Sequence, residues 1–219
     1  MLLQQTNSTR LVDDPVDLNM ILEPEVTLAI LRRGIAEPVA RYLDKHVPSL
    51  NGKVTAECDP RNPNVDDLMT FLPMEEGYDL FREDLLYQIE LLHSIISSTN
   101  FVLKLDCVKN ILCPAFHVDW VSLRLICCYH DPATEWLEND QVDRTRLTPN
   151  NGGLPDESSG LLLPGAEVKR MQAYDIALMK GESWPGNQGR GLVHRSPAVA
   201  EGQGKRLLFK IDLHGPAIA

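Results

Sequence analysis

The sequence predicts an α+β protein in which helices come first and a sandwich or barrel of short antiparallel strands follows. The clearest amphipathic helix spans about 79–98, where apolar residues recur at helical spacing. After residue 100, short apolar, β-branched and aromatic runs are separated by Gly, Pro, Asn and Asp, which is typical of strands and turns. Helices and strands that occupy separate parts of a chain indicate the α+β class.

Size and composition fit one globular domain without affinity for polyanions. The 219 residues can bury a substantial core, and contents of 43% hydrophobic and 24% charged residues are ordinary. A net charge of −10 argues against binding to nucleic acid or an anionic membrane, so we expect neither partner. The start lacks the pattern of a secretory signal, and the five cysteines form no C-x-x-C pair. We therefore expect reduced thiols and a cytoplasmic location.

The N-terminal half is expected to be mainly helical. Residues 1–20 are polar and predict a disordered leader, followed by a single α+β domain over 21–219. A short helix is predicted over 38–46, and prolines with Asn and Asp predict an irregular connection over 48–73. Together with the long amphipathic helix, these elements form a helical part over about 36–98.

The remaining part, about 101–214, is expected to be β-rich. The predicted strands are 101–108, 116–129, 135–137, 174–179, 192–196 and 206–213. If the longest strand, 116–129, is regular, its odd positions from His117 to Tyr129 share one face and Arg124 lies on the other. The polar stretch 138–168 predicts a long surface excursion.

A metal site is predicted from two histidines and one aspartate. Because alternate side chains of a strand point the same way, His117 and Asp119 can face one point, and His194 lies on a later predicted strand. Two imidazoles and one carboxylate form the ligand set that holds non-heme Fe(II) with open coordination positions. The alternative is a hydrogen bond between His117 and Asp119, with His194 an unrelated surface residue.

Several motifs in the chain resemble a known family. They are Phe116-His117-Val118-Asp119, Arg124-Leu125-Ile126-Cys127, Thr134-Glu135-Trp136-Leu137, Lys180-Gly181-Glu182 with Trp184, His194-Arg195-Ser196-Pro197 and the run from Arg206 to Asp212. Together they resemble the domain of unknown function 1826 family, an uncharacterised bacterial group whose genes are often associated with zinc-responsive regulation. The His-x-Asp and distal His are also similar to the site of the prolyl-hydroxylase-type Fe(II)/2-oxoglutarate oxygenases.

The oxygenase resemblance implies a fold and a set of roles. It implies a double-stranded β-helix (jelly-roll or cupin-like) core, Fe(II) held by His117, Asp119 and His194, and 2-oxoglutarate bound through its distal carboxylate. Arg206 matches the basic residue that grips this carboxylate, although twelve positions after His194 is a slightly longer spacing than usual. Arg124 is the alternative anchor, and Tyr129, on the predicted ligand face, could also donate to the cosubstrate.

Further residues and functions remain open at this stage. Glu135 and Lys180 could form an ion pair that orients a ligand beside the metal, and Arg195 is expected to face away from the metal. Cys113 could be an additional ligand if the ion were zinc. The alternatives to an oxygenase are a non-catalytic metal-binding protein linked to zinc homeostasis, and a zinc-dependent hydrolase with Glu135 as base. The substrate, a small molecule or a peptide, is not identified.

Overall fold

A computed structural model describes residues 8–98, 100–109, 113–147, 152–198 and 204–213 of the chain. The strands in these ranges are β1 (Thr9–Val12), β2 (Leu28–Leu31), β3 (Lys53–Cys58), β4 (Phe101–Val108), β5 (Leu123–Cys128), β6 (Glu135–Leu137), β7 (Lys169–Arg170), β8 (Ile176–Lys180), β9 (Val193–Arg195) and β10 (Arg206–Leu213). The α-helices are α1 (Glu37–His46) and α2 (Tyr78–Ile95). Neither helix has the length and apolar content to span a bilayer.

The strands form two sheets whose order is that of a double-stranded β-helix. The large sheet has the order β1-β2-β8-β5-β10-β4-β3, and the small sheet has the order β7-β6-β9. An antiparallel bridge between His117 and His194 adds one more segment beside β9. From β4 onwards the chain passes repeatedly between the large sheet and the small one. This arrangement confirms the predicted α+β class and its jelly-roll core.

The large sheet is covered on both faces. On one face, alternate residues of its strands pack with α1 and α2 in the main core; examples are Phe81, Leu85, Leu105, Leu125, Leu178 and Ile211. The opposite face packs against the small sheet, through Ile126, Met179, Leu208 and Trp136 among others. Two of the predicted metal ligands, His117 and His194, border the volume between the two sheets. Residues of β5 and β10 therefore face either the helices or this volume.

The two helices and several strands agree with the sequence-based predictions. Helix α2 begins after Gly77, whose φ of 96° is a left-handed conformation, and it buries a stripe that includes Phe81, Leu85, Ile89 and Leu92. Helix α1 confirms the prediction over 38–46, and β4 and β10 confirm the strands predicted over 101–108 and 206–213. Periodicity was sufficient to find these elements because their apolar residues recur at the spacing of a helix or of a strand.

Two predictions about the N-terminal half are wrong. The expected disordered leader over 1–20 is partly structured, because β1 pairs in parallel with β2 and Leu18 is fully buried in a short helical turn; residues 1–7 lie outside the described residues. The supposed irregular connection over 48–73 contains β3. This edge strand pairs with β4 but leaves most of its side chains half-buried or exposed, so it has no apolar pattern to detect.

The strand predicted over 116–129 is also wrong, because the chain bends between Val118 and Ser122. Regular pairing resumes only at Leu123, where β5 begins. The bend is held by the segment after β8: the Gly181 N–H donates to the Ser122 carbonyl at 3.0 Å, and the Glu182 N–H donates to the Asp119 carbonyl at 2.9 Å. Side chains before and after the bend therefore do not continue one alternation.

Candidate metal centre

His117 and His194 are placed side by side by their backbones. The N–H of each residue donates to the carbonyl of the other at 3.0 Å, and the two imidazole rings are 4.5 Å apart between centroids. His194 lies in β9, and His117 lies on the segment that precedes the bend. The register of the small sheet, and not a flexible loop, therefore fixes where the two rings meet.

Each imidazole also has a fixed tautomer. The Nδ1 atom of His117 is 3.0 Å from the Ala115 carbonyl, and that of His194 is 3.1 Å from the Leu192 carbonyl. Because a carbonyl oxygen only accepts, Nδ1 carries the proton in both rings. The lone pair of each neutral imidazole is therefore on Nε2. Fixing the ring through its other nitrogen is how proteins orient metal-binding histidines.

Asp119 completes the group. The Nε2 atom of His194 is 3.2 Å from Asp119 Oδ2, and the Nε2 atom of His117 is 3.9 Å from Asp119 Oδ1. One ligand atom from each residue lies within 4.8 Å of the other two, so a small contraction would bring all three to the ~2 Å bonds of a transition metal. The structure therefore brings together the three residues that the sequence singled out.

The protonation states suit a cation. Burial, and next the neighbouring His194, lower the pKa of His117, which favours the neutral ring that a metal requires. Burial alone would raise the pKa of Asp119, but the adjacent His194 and the charge of Arg124 hold this pKa well below its ordinary range. The site thus offers the neutral imidazole of His117 and the ionised carboxylate of Asp119.

A pocket opens beside these ligands, between the two sheets. It is lined by Cys113, His117, Arg124, Ile126, Thr134, His194, Arg195, Ser196, Leu208 and Lys210. Cations and hydroxyls supply its polar lining, and Ile126 and Leu208 supply an apolar floor. This lining offers hydrogen-bond donors to a small molecule bound beside the metal ligands.

Most cations in and around this pocket are already paired with carboxylates. Arg124 donates to both Asp212 oxygens, and Lys104 donates to Asp212 Oδ2 at 2.6 Å. Lys210 is 2.7 Å from Asp106 Oδ2. All of these residues lie on the face of β4, β5 and β10 that looks towards the small sheet. Their charges are therefore largely neutralised within the protein.

Arg206 differs from these cations. Its side chain is buried, Nη1 donates to the Pro132 carbonyl at 2.8 Å, and Nη2 has no hydrogen-bond partner among the described residues. No carboxylate of the described chain pairs with it. Arg206 lies on the same face of β10 as Leu208, two residues further from the metal ligands, and it is not part of the pocket lining itself. The loop between His194 and Arg206 lies partly outside the described residues.

The predicted orientations of Arg124 and Tyr129 are wrong, and the bend explains both errors. Arg124 points to the metal ligands, where its Nη1 donates to Asp119 Oδ2. Tyr129 points to the helices, where its hydroxyl donates to Asp84 Oδ2 at 2.6 Å and accepts from Gln88. Tyr129 is therefore a core residue and cannot donate to a molecule bound beside the metal ligands.

The expected ion pair between Glu135 and Lys180 is not formed. Glu135 lies on the outer face of the small sheet, where its carboxylate accepts from Arg170 and Arg195. Lys180 faces the helix side of the large sheet, and its Nζ donates to the Glu23 carbonyl at 2.7 Å and lies 4.9 Å from the Trp184 ring centroid. Neither side chain reaches the metal ligands. The Arg195 side chain faces away from them, as expected.

Sequence reasoning missed Lys210, Asp212 and Asp106 as parts of the site. The signal that could have found the first two is the alternation along β10, which puts Arg206, Lys210 and Asp212 on one face with Leu208. Asp106 could only be found from the antiparallel register of β4 and β10, because its partner is more than a hundred residues away in the chain.

Solved structures with a similar fold are Fe(II)/2-oxoglutarate dioxygenases. The dioxygenase TqaL is 11% identical, with a TM-score of 0.50 over 93% of this chain and 87% of that one. The Kdo hydroxylase KdoO is 11% identical (TM-score 0.49; 94% and 89% covered), and the rice dioxygenase for auxin oxidation is 13% identical (TM-score 0.47; 92% and 78% covered). At such identities, the likeness to TqaL shows the fold alone.

Sequence comparison identifies the family. No curated protein sequence matches the chain. The model of the family described as "Protein of unknown function (DUF1826)" matches residues 12–212, which include every residue of the candidate metal centre. The chain therefore belongs to the DUF1826 family.

Proposed function

We propose that this protein is an Fe(II)/2-oxoglutarate-dependent oxygenase that acts on a small molecule or a peptide. The observation that carries the proposal is the group of His117, Asp119 and His194 in a double-stranded β-helix, with both Nε2 atoms directed at one carboxylate. This ligand set, with open positions, is the one that non-heme iron oxygenases use. The fold shared with TqaL is consistent with this function.

Arg206 is the proposed anchor for the distal carboxylate of 2-oxoglutarate. Burying a guanidinium without a carboxylate partner costs free energy unless an anion binds to it. The described residues supply no such anion. Lys210 and Arg124 lie closer to the metal ligands but already have carboxylate partners. A cosubstrate between the metal and Arg206 would lie along Leu208 and Ile126, which line the apolar floor of the pocket.

These positions assign separate roles to the metal ligands and to Arg206. Bound Fe(II) with 2-oxoglutarate would supply the chemistry, in which O₂ oxidises a substrate C–H bond to an alcohol while 2-oxoglutarate is converted to succinate and CO₂. His117, Asp119 and His194 orient the ion through fixed tautomers and a fixed backbone register. Arg206 orients the cosubstrate, and the two sheets exclude water from the anchored carboxylate.

The hydrolase alternative loses its support in this site. It required Glu135 as the base that activates a zinc-bound water, but the Glu135 carboxylate is held by two arginines on the outer face of the small sheet. A base must lie within hydrogen-bond reach of the water whose proton it removes. The non-catalytic metal-binding function therefore remains the main rival.

One experiment separates the oxygenase from this rival. The protein is purified without added metal, its metal content is measured, and succinate release is followed after Fe(II) and 2-oxoglutarate are added under air. We expect stoichiometric Fe(II) binding and succinate release above that of the His194→Ala variant. Tight zinc binding with no succinate release would instead support metal handling, and no metal binding at all would reject both functions.

A further inference from the structure

We propose that Arg124 is a positioning residue that holds Asp119 so that this carboxylate offers one oxygen, and not two, to the metal. The inference rests on the proposed metal site. The Arg124 side chain was expected on the face opposite the metal ligands. The bend before β5 brings it to them instead. The test of this role measures metal affinity and coordination in variants of Arg124, so the role can fail while the proposed function stands.

The guanidinium of Arg124 bridges two carboxylates. Its Nε donates to Asp212 Oδ1 at 2.5 Å and its Nη2 donates to Asp212 Oδ2 at 3.0 Å, which is a bidentate pair. Its Nη1 donates to Asp119 Oδ2. Such a planar fork fixes the direction of every group that it binds, and an ammonium group cannot replace it.

The far end of the bridge is rigid. The Asp212 side chain is fully buried in β10, directly opposite Arg124 of β5 in the antiparallel register. Lys104 of the neighbouring strand donates to Asp212 Oδ2 at 2.6 Å and holds the carboxylate from its other side. The position of the guanidinium is therefore set by the centre of the large sheet.

Asp119 is held less tightly, by a hydrogen bond from the Glu182 N–H to its backbone carbonyl. It follows the bridge between His117 and His194, and its own backbone belongs to no strand. A carboxylate can bind a metal through one oxygen or through both. Because Arg124 donates to Asp119 Oδ2, the other oxygen, Oδ1, is left for the metal. Two imidazole nitrogens and this one oxygen would leave the remaining coordination positions of the ion open. A second bound oxygen would occupy one position that the cosubstrate and O₂ need.

The charge of Arg124 and its orienting effect on Asp119 change the metal affinity in opposite directions. A guanidinium close to a bound cation repels it, so removing the charge alone would strengthen metal binding. If Arg124 acts by orienting Asp119, its removal weakens metal binding instead, typically 10–100-fold for such an outer partner of a ligand. The direction of the change therefore distinguishes a positioning residue from a neighbouring charge.

The test compares Co(II) affinity, measured by chelator competition, for the unchanged chain and for Arg124→Met, Arg124→Lys and Arg82→Met. We expect a loss of about 10–100-fold in both Arg124 variants, because lysine keeps the charge but cannot bridge two carboxylates. Arg82→Met is the matched control: it removes an arginine of α2 that pairs with Asp66 and contacts neither Asp119 nor Asp212, and we expect its affinity to stay within about threefold of the unchanged chain.

A second readout reports on coordination directly. The visible absorption of the Co(II)-loaded protein depends on coordination number, and we expect it to change in Arg124→Met and not in Arg82→Met. Asp212→Asn, which weakens the bridge without touching Arg124 itself, serves if Arg124→Met unfolds. Equal or tighter Co(II) binding by the folded Arg124 variants would overturn the positioning role and leave the proposed function intact. Failure of the unchanged chain to bind metal would overturn both.

Discussion

His117 and His194 are partners in the same antiparallel bridge, and each donates its backbone N–H to the carbonyl of the other at 3.0 Å. Residues far apart in the sequence therefore meet because two segments of one sheet are in register, before any metal is considered. The imidazoles extend from a backbone that is already fixed. Such a preorganised site needs little reorganisation to bind an ion.

The first prediction concerns the removal of one ligand. His117→Ala or His194→Ala should abolish stoichiometric metal binding, because two ligand atoms remain where three are needed. The backbone bridge does not depend on the side chain, so the metal-free variant should lose only about 1–2 kcal/mol of unfolding free energy. Metal content after dialysis and thermal unfolding measure the two effects.

The matched control for this change is His130→Ala. His130 is half-buried and lies 3.7 Å from Asp44 of α1, on the helix side of the large sheet. We expect this variant to bind metal as the unchanged chain does. Full metal occupancy in either ligand variant would remove the basis for the proposed centre.

The second prediction concerns the buried cation of β10. Arg206→Met should weaken 2-oxoglutarate binding by on the order of 100-fold, since one partner of a buried charged pair is lost. The same change should leave the free energy of unfolding of the ligand-free protein unchanged or raised, because an uncompensated buried charge is replaced by an apolar chain of similar length. Calorimetric titration with the Fe(II)-loaded protein measures the first effect, and denaturant unfolding measures the second.

Lys205→Met is the control for Arg206→Met. Lys205 precedes Arg206 directly, but its Nζ donates to the Leu50 carbonyl at 2.5 Å and to Asn51 at 3.0 Å, away from the pocket. Its loss should not alter cosubstrate affinity. If Arg206→Met binds 2-oxoglutarate normally and is less stable than the unchanged chain, Arg206 is a structural residue and the anchor must be sought elsewhere.

The ligands and most elements could be predicted because their signals are local. Helix α2, β4 and β10 each show a repeat of buried residues, and the spacing of His117 and Asp119 is within one segment. The bend at 118–122 could not be predicted, because hydrogen bonds from Gly181 and Glu182 hold it. That single error reversed the sides on which Arg124 and Tyr129 lie. The ion pairs of Asp212 and Asp106 likewise depend on strand register.

The third prediction tests this bend. A Cβ atom on Gly181 would lie 2.1 Å from the Val121 carbonyl oxygen and 2.7 Å from that of Asp119, so the backbone would have to move. Gly181→Ala should cost roughly 1–3 kcal/mol of unfolding free energy and should also weaken metal binding, because Asp119 is displaced. Gly34→Ala is the control, since a Cβ there would meet no atom within 4 Å. Unchanged stability and metal affinity in Gly181→Ala would show that the bend tolerates a side chain.

The fourth prediction concerns Lys180, which the sequence suggested as part of an ion pair beside the metal and which the structure places on the helix side of β8. Burial and the nearby charge of Arg190 lower its pKa from 10.5 to about 8. The unfolded chain therefore binds more protons at this position than the folded chain between pH 8 and 10.5, and stability due to this group rises with pH through that window. A shift of this size corresponds to about 3 kcal/mol.

Lys180→Met removes this contribution. Relative to the variant, the unchanged chain should gain up to about 3 kcal/mol of unfolding free energy as the pH rises from 8 to 10.5, as measured by denaturant unfolding at a series of pH values. Below pH 8 the lysine is charged in both states, so the difference between the two proteins should be constant there. Metal affinity should be the same for both, because Lys180 contacts the Glu23 carbonyl and the Trp184 ring and not the metal ligands. A loss of metal binding or of succinate release in a folded Lys180→Met protein would show that Lys180 contributes to the metal site, against its position in the structure.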